Sequence, residues 1–166
     1  VPDASAFVPQ TRLSRLGLSF PFLVAPMVGL SHVAFRALIR SYTPPELHPL
    51  TFTEMLSTRR LPDEKLSSTN ELKTAPGEKY FVPQLLGNEE EYIAPSVLKL
   101  TAVDPWGFDI NMGCPAKKVC NVWAGSALMR NEPLALSINS WRARAHLVSE
   151  VKRFPGLRRP FCRFLC

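Results

Sequence analysis

Cys114 is the residue of this chain best placed to do chemistry. It lies in Gly107-Phe108-Asp109-Ile110-Asn111-Met112-Gly113-Cys114-Pro115-Ala116-Lys117-Lys118-Val119. Phe108, Ile110 and Met112 alternate with Asp109, Asn111 and Gly113, which is the period of a strand. Gly113 and Pro115 stop that strand on either side of Cys114. A thiol just past the carboxyl end of a buried strand sits where α/β proteins carry their sites. Lys117 and Lys118 follow at once, and nearby positive charge favours thiolate over thiol. The plainer alternative for Cys114 is a small buried hydrophobe. Gln84 is the second candidate, an amide among apolar neighbours. Buried, it must be hydrogen-bonded or cost about 1–3 kcal/mol. Its donor and acceptor suit the imide edge of a ligand, or the backbone around it satisfies both. Other chemistries find no support. His32, His48 and His146 are scattered, and the four cysteines have no metal-ligand or disulfide-framework spacing. No glycine-rich phosphate loop of the Walker or Rossmann kind is present.

The elements that must position these residues read as repeated strand-then-helix units. Phe20 to Met27 is a near-continuous apolar run, as in a strand covered on both faces. The turn Ala25-Pro26-Met27-Val28-Gly29 follows, and Ser31 can cap the next helix. Val33, Ala34, Phe35, Ala37 and Leu38 give that helix a broad apolar side, with Arg36 and Arg40 outside. Leu50 to Met55 reads as the second strand. Glu54 at its end either orients a polar partner or is a solvated carboxylate. A weak helix is expected over Asp63 to Leu72. Tyr80 to Gly87 is the third strand. Asn88 and Glu91 make a capping box for the helix after it, which Pro95 should kink. The Cys114 segment is the fourth strand. Asn131 caps the last helix, with Pro133 in its first turn. Leu134, Ile138, Trp141, Ala145 and Val148 form its apolar stripe, and Pro160 to Cys166 can begin a fifth strand.

Asp109-Ile110-Asn111-Met112-Gly113-Cys114-Pro115-Ala116-Lys117-Lys118-Val119, followed by Ala124-Gly125-Ser126-Ala127-Leu128-Met129, resembles the active-site signature of the tRNA-dihydrouridine synthases. The resemblance covers about residues 15–140. It implies an FMN enzyme on a TIM barrel that reduces the C5–C6 bond of uridine in tRNA with NADPH or NADH. Cys114 would then be the general acid. An Ala-Pro-Met turn similar to the one here lies against the flavin, so Pro26, Met27 and Val28 are implied cofactor contacts. Gln84 is implied at the flavin's imide edge, and Asn111 at either flavin or uracil. Lys117 and Lys118 are read as contacts to RNA phosphates. The fifth strand departs from the pattern. Where the family has a flavin-gripping lysine, this chain reads Arg159-Pro160-Phe161-Cys162-Arg163-Phe164. Two other readings stay open: a flavin barrel oxidoreductase of a free pyrimidine or other small molecule, and a non-catalytic remnant that binds RNA.

The chain has 166 residues, 46% of them hydrophobic and 20% charged. A complete (β/α)8 barrel takes about 200 residues at the least. The fold class expected is therefore α/β, with the first half of a TIM-type barrel, strands one to four and the start of a fifth. The expected domains are a lead-in over 1–19, a partial FMN-binding barrel over 20–153 and a basic, atypical end over 154–166. That end suggests truncation or a frameshift. Half a barrel leaves strand edges open, an aggregation hazard. Of the formal net charge of +6, all lies in residues 137–166, where seven basic residues face Glu150 alone. Such a tail can hold phosphates or be the exposed face of a helix. No apolar run reaches membrane length. Residues 1–10 lack the pattern of a signal peptide. With four irregularly spaced cysteines that make no disulfide framework, a reducing cytoplasm is the default location.

Overall fold

The computed structural model describes residues 22–47, 49–78 and 80–140, together with the backbone of 164 and 165. Its centre is one parallel sheet in sequential order: β1 (Leu23–Val24), β2 (Leu50–Ser57), β3 (Phe81–Leu86), β4 (Phe108–Ile110) and β5 (Phe164–Leu165). Helices α1 (Val33–Ser41), α2 (Glu90–Leu100), α3 (Lys117–Cys120) and α4 (Glu132–Ser140) fall between them. Only the β2–β3 connection lacks an α-helix among the described residues. The weak helix expected over Asp63–Leu72 is two 3-10 turns, Leu66–Ser68 and Asn70–Leu72. This arrangement of parallel strands alternating with helices is the first half of a TIM barrel. The lead-in over 1–19, the helical stripe from Trp141 to Val148 and the basic end, apart from the backbone of 164 and 165, lie outside the described residues.

The strand periodicity decides which face is which. Phe81, Leu85, Phe108 and Ile110 point to the helical layer, where they pack with Ile93, Val97 and Leu100 of α2 and with Leu128 and Ile138. Burial of each such side chain contributes about 1.5–3 kcal/mol. The opposite face carries a smaller apolar cluster, Leu50, Phe52 and Val82, with Tyr80 and Trp106 against it. Farther along the strands that face becomes polar, with Gln84 in register beside Asp109.

Pro83 should not sit in an inner strand, because it donates no hydrogen bond to the ladder. The sheet absorbs it with a bulge. Thr51 and Phe52 pair with Phe81 and Val82, but pairing resumes only at Met55 with Gln84. Thr53 and Glu54 therefore stand opposite Pro83 alone. The Thr53 hydroxyl accepts the Gln84 N–H at 3.0 Å, replacing a ladder bond. Bulges of this kind re-aim side chains, and here the re-aimed one is Glu54.

Several local expectations are corrected. β1 is two residues long, and Phe22 and Leu23 are exposed, so it is not covered on both faces. Ser31 does not cap α1. Its hydroxyl instead accepts the Met27 N–H at 2.8 Å and donates to the Ala25 carbonyl at 3.3 Å, while His32 takes the cap position. Arg36 is not outside but fully buried. Nε donates to Glu78 at 2.8 Å, and the two Nη atoms donate to the Ser31 and Lys73 carbonyls at 2.6 Å each. The sequence hides this because Glu78 is 42 residues away. Arg40 joins the cluster, with Nη2 at 2.6 Å from Glu78 but without the alignment of a hydrogen bond. The Asn88–Glu91 capping box is absent. Glu89 holds the cap position of α2 with no side-chain capping bond, its carboxylate being turned to Arg59 instead. α2 is continuous through exposed Pro95, so the bond lost at its missing N–H is on the solvent side. Asn131 caps α4 as expected, accepting the Leu134 N–H at 3.2 Å.

Candidate functional site

The carboxyl ends of β1 to β4 bring three parts together. The first is the turn after β1. Pro26 and Met27 are half-buried and Val28 is exposed. The Met27 carbonyl accepts both the Leu30 and Ser31 N–H groups, and the Ser31 hydroxyl closes the turn from inside. Gly29 adopts a φ of +79°, a conformation a side chain rarely takes. Its N–H donates to Glu54 at 2.7 Å. Of the two readings open for Glu54, the structure thus shows the one in which it orients a polar partner. The bulge at Pro83 is what aims it there.

The second part is a chain of polar side chains across β3 and β4. Gln84 Nε2 donates to Asp109 Oδ2 at 2.5 Å, and Gln84 Oε1 accepts from Asn111 Nδ2 at 3.0 Å. Asn111 Oδ1 then accepts the N–H groups of Gly113 at 3.2 Å and Cys114 at 3.0 Å. Gln84 is therefore satisfied, but by side chains rather than by the backbone. Gln84 keeps unused capacity, since a side-chain amide can make up to four hydrogen bonds, whereas Asn111 uses all four, its second Nδ2 hydrogen going to Met55 Sδ at 3.9 Å. Burial pushes the Asp109 carboxyl up, the bond from Gln84 pulls part of the way back, and the outcome is about 6. A neutral amide relieves a buried carboxylate only partly, because it supplies no opposite charge.

The third part is the Cys114 loop. Cys114 is half-buried and free, with no disulfide. Its N–H is held by Asn111 and its carbonyl accepts the Ser126 N–H at 3.0 Å. Gly125 makes the second fastening possible. Its φ is +60°, and a Cβ there would meet the Cys114 carbonyl at 2.5 Å and Val119 at 2.7 Å. The Ala124-Gly125-Ser126 segment is thus the clamp that closes the loop. Lys117 and Lys118 form the first turn of α3 and are exposed.

Every candidate site residue lies in these three parts or directly beside them. Four participants were missed: Asp109, Thr53, Gly125 and the bulge itself. Asp109 was detectable, since it shares the Asn111 face of β4. Thr53 was not, because its role exists only once Pro83 breaks the ladder. Among the described residues there is no group of three or more His, Cys, Asp or Glu that could hold a metal ion. Nor, among them, is any helix long and apolar enough to cross a membrane.

Comparison with known proteins adds an independent line. The family model described as dihydrouridine synthase matches residues 23–145. A probable tRNA-dihydrouridine synthase of Rhizobium leguminosarum is 36% identical over 116 residues, which cover 70% of this chain and 35% of that protein. The tRNA-dihydrouridine synthase B of Pseudomonas putida is 33% identical over 128 residues, 76% of this chain and 36% of that one. A stretch of 62 residues is 50% identical to the tRNA-dihydrouridine synthase B of Xanthomonas campestris, covering 37% of this chain and 19% of that protein. The chain thus spans about a third of the length of the first two relatives. It belongs to the dihydrouridine synthase family.

Proposed function

We propose that this member of the dihydrouridine synthase family carries the proton-donating half of a tRNA-dihydrouridine synthase site, with Cys114 as the general acid. The single observation that supports it most is the double fastening of the Cys114 loop. Asn111 holds the N–H of Cys114, and Ser126 holds its carbonyl. The side chain is left half-buried at the end of the barrel strands.

The residues present fit a flavin in part. The turn Pro26-Met27-Val28 offers an apolar ledge, and open space surrounds Gly29. Gln84 retains amide capacity on the adjoining face, and the long Asn111 bond to the Met55 sulfur is the one a ligand would replace. In this reading Pro26, Met27, Val28, Gln84 and Asn111 hold FMN. When bound, that flavin, reduced by NADPH or NADH, supplies the hydride for C6 of uracil. Cys114 supplies the proton for C5. A cysteine thiol bears one proton that it can hand over as a general acid. Asn111 serves mainly to shape the loop, since its Oδ1 already accepts two backbone N–H groups. Lys117 and Lys118 bind RNA phosphates as exposed point charges. The target uridine leaves its stack to reach the thiol. The setting is the cytoplasm, where tRNA and reduced thiols coexist.

The experiment uses a protein in which this chain is part of a complete barrel. Cys114→Ala should keep its yellow flavin absorption and lose dihydrouridine formation in tRNA by at least about 100-fold. Unchanged turnover in that variant would remove Cys114 from the mechanism. A protein that reduces a free pyrimidine and ignores tRNA would favour the small-molecule reading instead.

A further inference from the structure

Next to the Cys114 loop is a shallow cleft that the proposed chemistry does not use. Its volume is about 200 Å³, and it is lined by Cys120, Asn121, Trp123, Ser126, Ala127 and Arg130. That is smaller than the roughly 300–1,000 Å³ of a small-molecule pocket. It suits one ring laid on a rim, not an enclosed metabolite. Trp123 supplies that rim. Its exposure is 57%, and its backbone holds a φ of +57°, which a bulky residue adopts only when the surroundings force it. The surroundings here are the turn after α3. The Trp123 N–H donates to the Cys120 carbonyl at 3.0 Å, and the Ala124 N–H donates to the Val119 carbonyl at 3.3 Å.

Charge says what would lie on this indole. From Ile110 to Asn131 there is no Asp or Glu, while Lys117, Lys118 and Arg130 are all present and exposed. An aromatic face with an arginine in its lining is the arrangement that binds single-stranded nucleic acid, the ring taking a base and the cation its phosphate. A protein partner would have to pair or desolvate Arg130. The cleft is also tied to the catalytic loop. Cys120 Sγ lies 3.6 Å from the Cys114 carbonyl and 3.4 Å from Ser126 Oγ, and Ser126 itself bonds that carbonyl.

We propose that Trp123 and Arg130 form a nucleotide platform, which stacks an unpaired base flanking the uridine presented to Cys114 and binds its phosphate. The proposal rests on the RNA-substrate reading above but names a site that reading does not require. A base held here sets the register of the strand, because the platform and the thiol share one fastened loop.

The test measures binding of a fluorescein-labelled U8 RNA and of unfractionated tRNA to the full 166-residue chain, across a salt series. Trp123→Ala should weaken U8 binding about tenfold or more, whereas Trp123→Phe should stay within about threefold of wild type. Arg130→Ala should weaken binding and reduce the slope of log K against log salt by about one. Thermal melting of each variant controls for folding. If Trp123→Ala binds both RNAs as wild type does, the platform is overturned. If that variant instead dissolves a wild-type dimer seen by sedimentation, with RNA affinity unchanged, the cleft is a contact between copies and the platform is equally overturned. If the wild-type chain binds neither RNA, the platform fails. The reduction reading is then still judged separately, by flavin content and dihydrouridine formation in the complete-barrel protein.

Discussion

Two buried carboxylates in this molecule live under opposite rules. Glu78 sits beneath α1 with 0% side-chain exposure, between Arg36 and Arg40, and also accepts the Ala75 N–H at 3.1 Å. Burial pushes its carboxyl up, but the Arg36 hydrogen bond and the two guanidinium charges outweigh that and hold it below the usual range. Asp109 lies on the inner face of β4 with one amide as its bonded partner among the described residues. There burial wins and the carboxyl rises to about 6. One cluster is closed and spends its charge on joining α1 to the β2–β3 connection. The other is open-ended and leads, through Gln84 and Asn111, to the Cys114 loop. The difference separates a polar cluster that holds the fold from one that runs to the candidate site, and each can be broken by itself.

The largest effect should come from the closed cluster. Arg36→Met removes two Glu78 bonds and two carbonyl bonds at once and leaves a buried carboxylate underpaired. That costs about 3–5 kcal/mol. A guanidinium chloride midpoint that falls accordingly, with Cys114 alkylation by iodoacetamide unchanged in the native state, keeps the two regions distinct. A change of alkylation rate in step with stability would merge them. Next is Gly125→Ala, at the clamp of the open region. The positive φ and the 2.5 Å approach to the Cys114 carbonyl together should cost about 2–4 kcal/mol. Unlike Arg36→Met, it should raise the alkylation rate of Cys114, because the loop loses its Ser126 bond.

The two carboxylates also predict opposite responses to pH. Asp109 binds its proton more tightly in the folded chain, at about 6 against a reference of 3.8. The stability this supplies is full below about pH 4 and is lost as pH rises through 6. Glu78 is depressed, so its contribution is present above the reference of 4.5 and is lost as pH falls through its folded value. Asp109→Asn keeps the shape and removes the charge. It should stabilise the chain by about 2–3 kcal/mol at pH 8 and by nothing measurable near pH 4. Urea titrations of both proteins at pH 4, 6 and 8 read this directly. A pH-independent difference would mean that Asp109 is not the group pushed up by burial.

Sequence carried the coarse frame because its signals are local. Strand alternation in Phe108–Ile110, the short loop around Cys114 and the Asn131 cap each depend on neighbours within a few residues. The failures depend on distant partners. Arg36 looks like a surface residue until Glu78 arrives from another element. Ser31 looks like a cap until the turn after β1 folds back and recruits its hydroxyl. Pro83 looks like a strand breaker, and the bulge that accommodates it exists only between two paired strands. The site residues were legible to the extent that they cluster after β4. The wiring between them was not, since Gln84 and Asn111 are 27 residues apart and meet only across the β3–β4 ladder.

The smallest of the expected effects is also the sharpest about the open region. Asn111 does two jobs with two ends of one amide: Nδ2 donates to Gln84, and Oδ1 accepts from Gly113 and Cys114. Asn111→Ala loses both and should cost about 1–2 kcal/mol, since a half-buried N–H and the Gln84 carbonyl are left to find water. Asn111→Asp keeps the acceptor end and loses the donor end, while adding a second carboxylate close to Asp109. If the acceptor end is what positions the thiol, Asn111→Asp should retain wild-type alkylation of Cys114, while Asn111→Ala speeds it several-fold. If both variants alkylate at the same altered rate, the donor end matters instead. The polar chain from Asp109 would then act on Cys114 as one unit, and the loop's own fastening would be secondary.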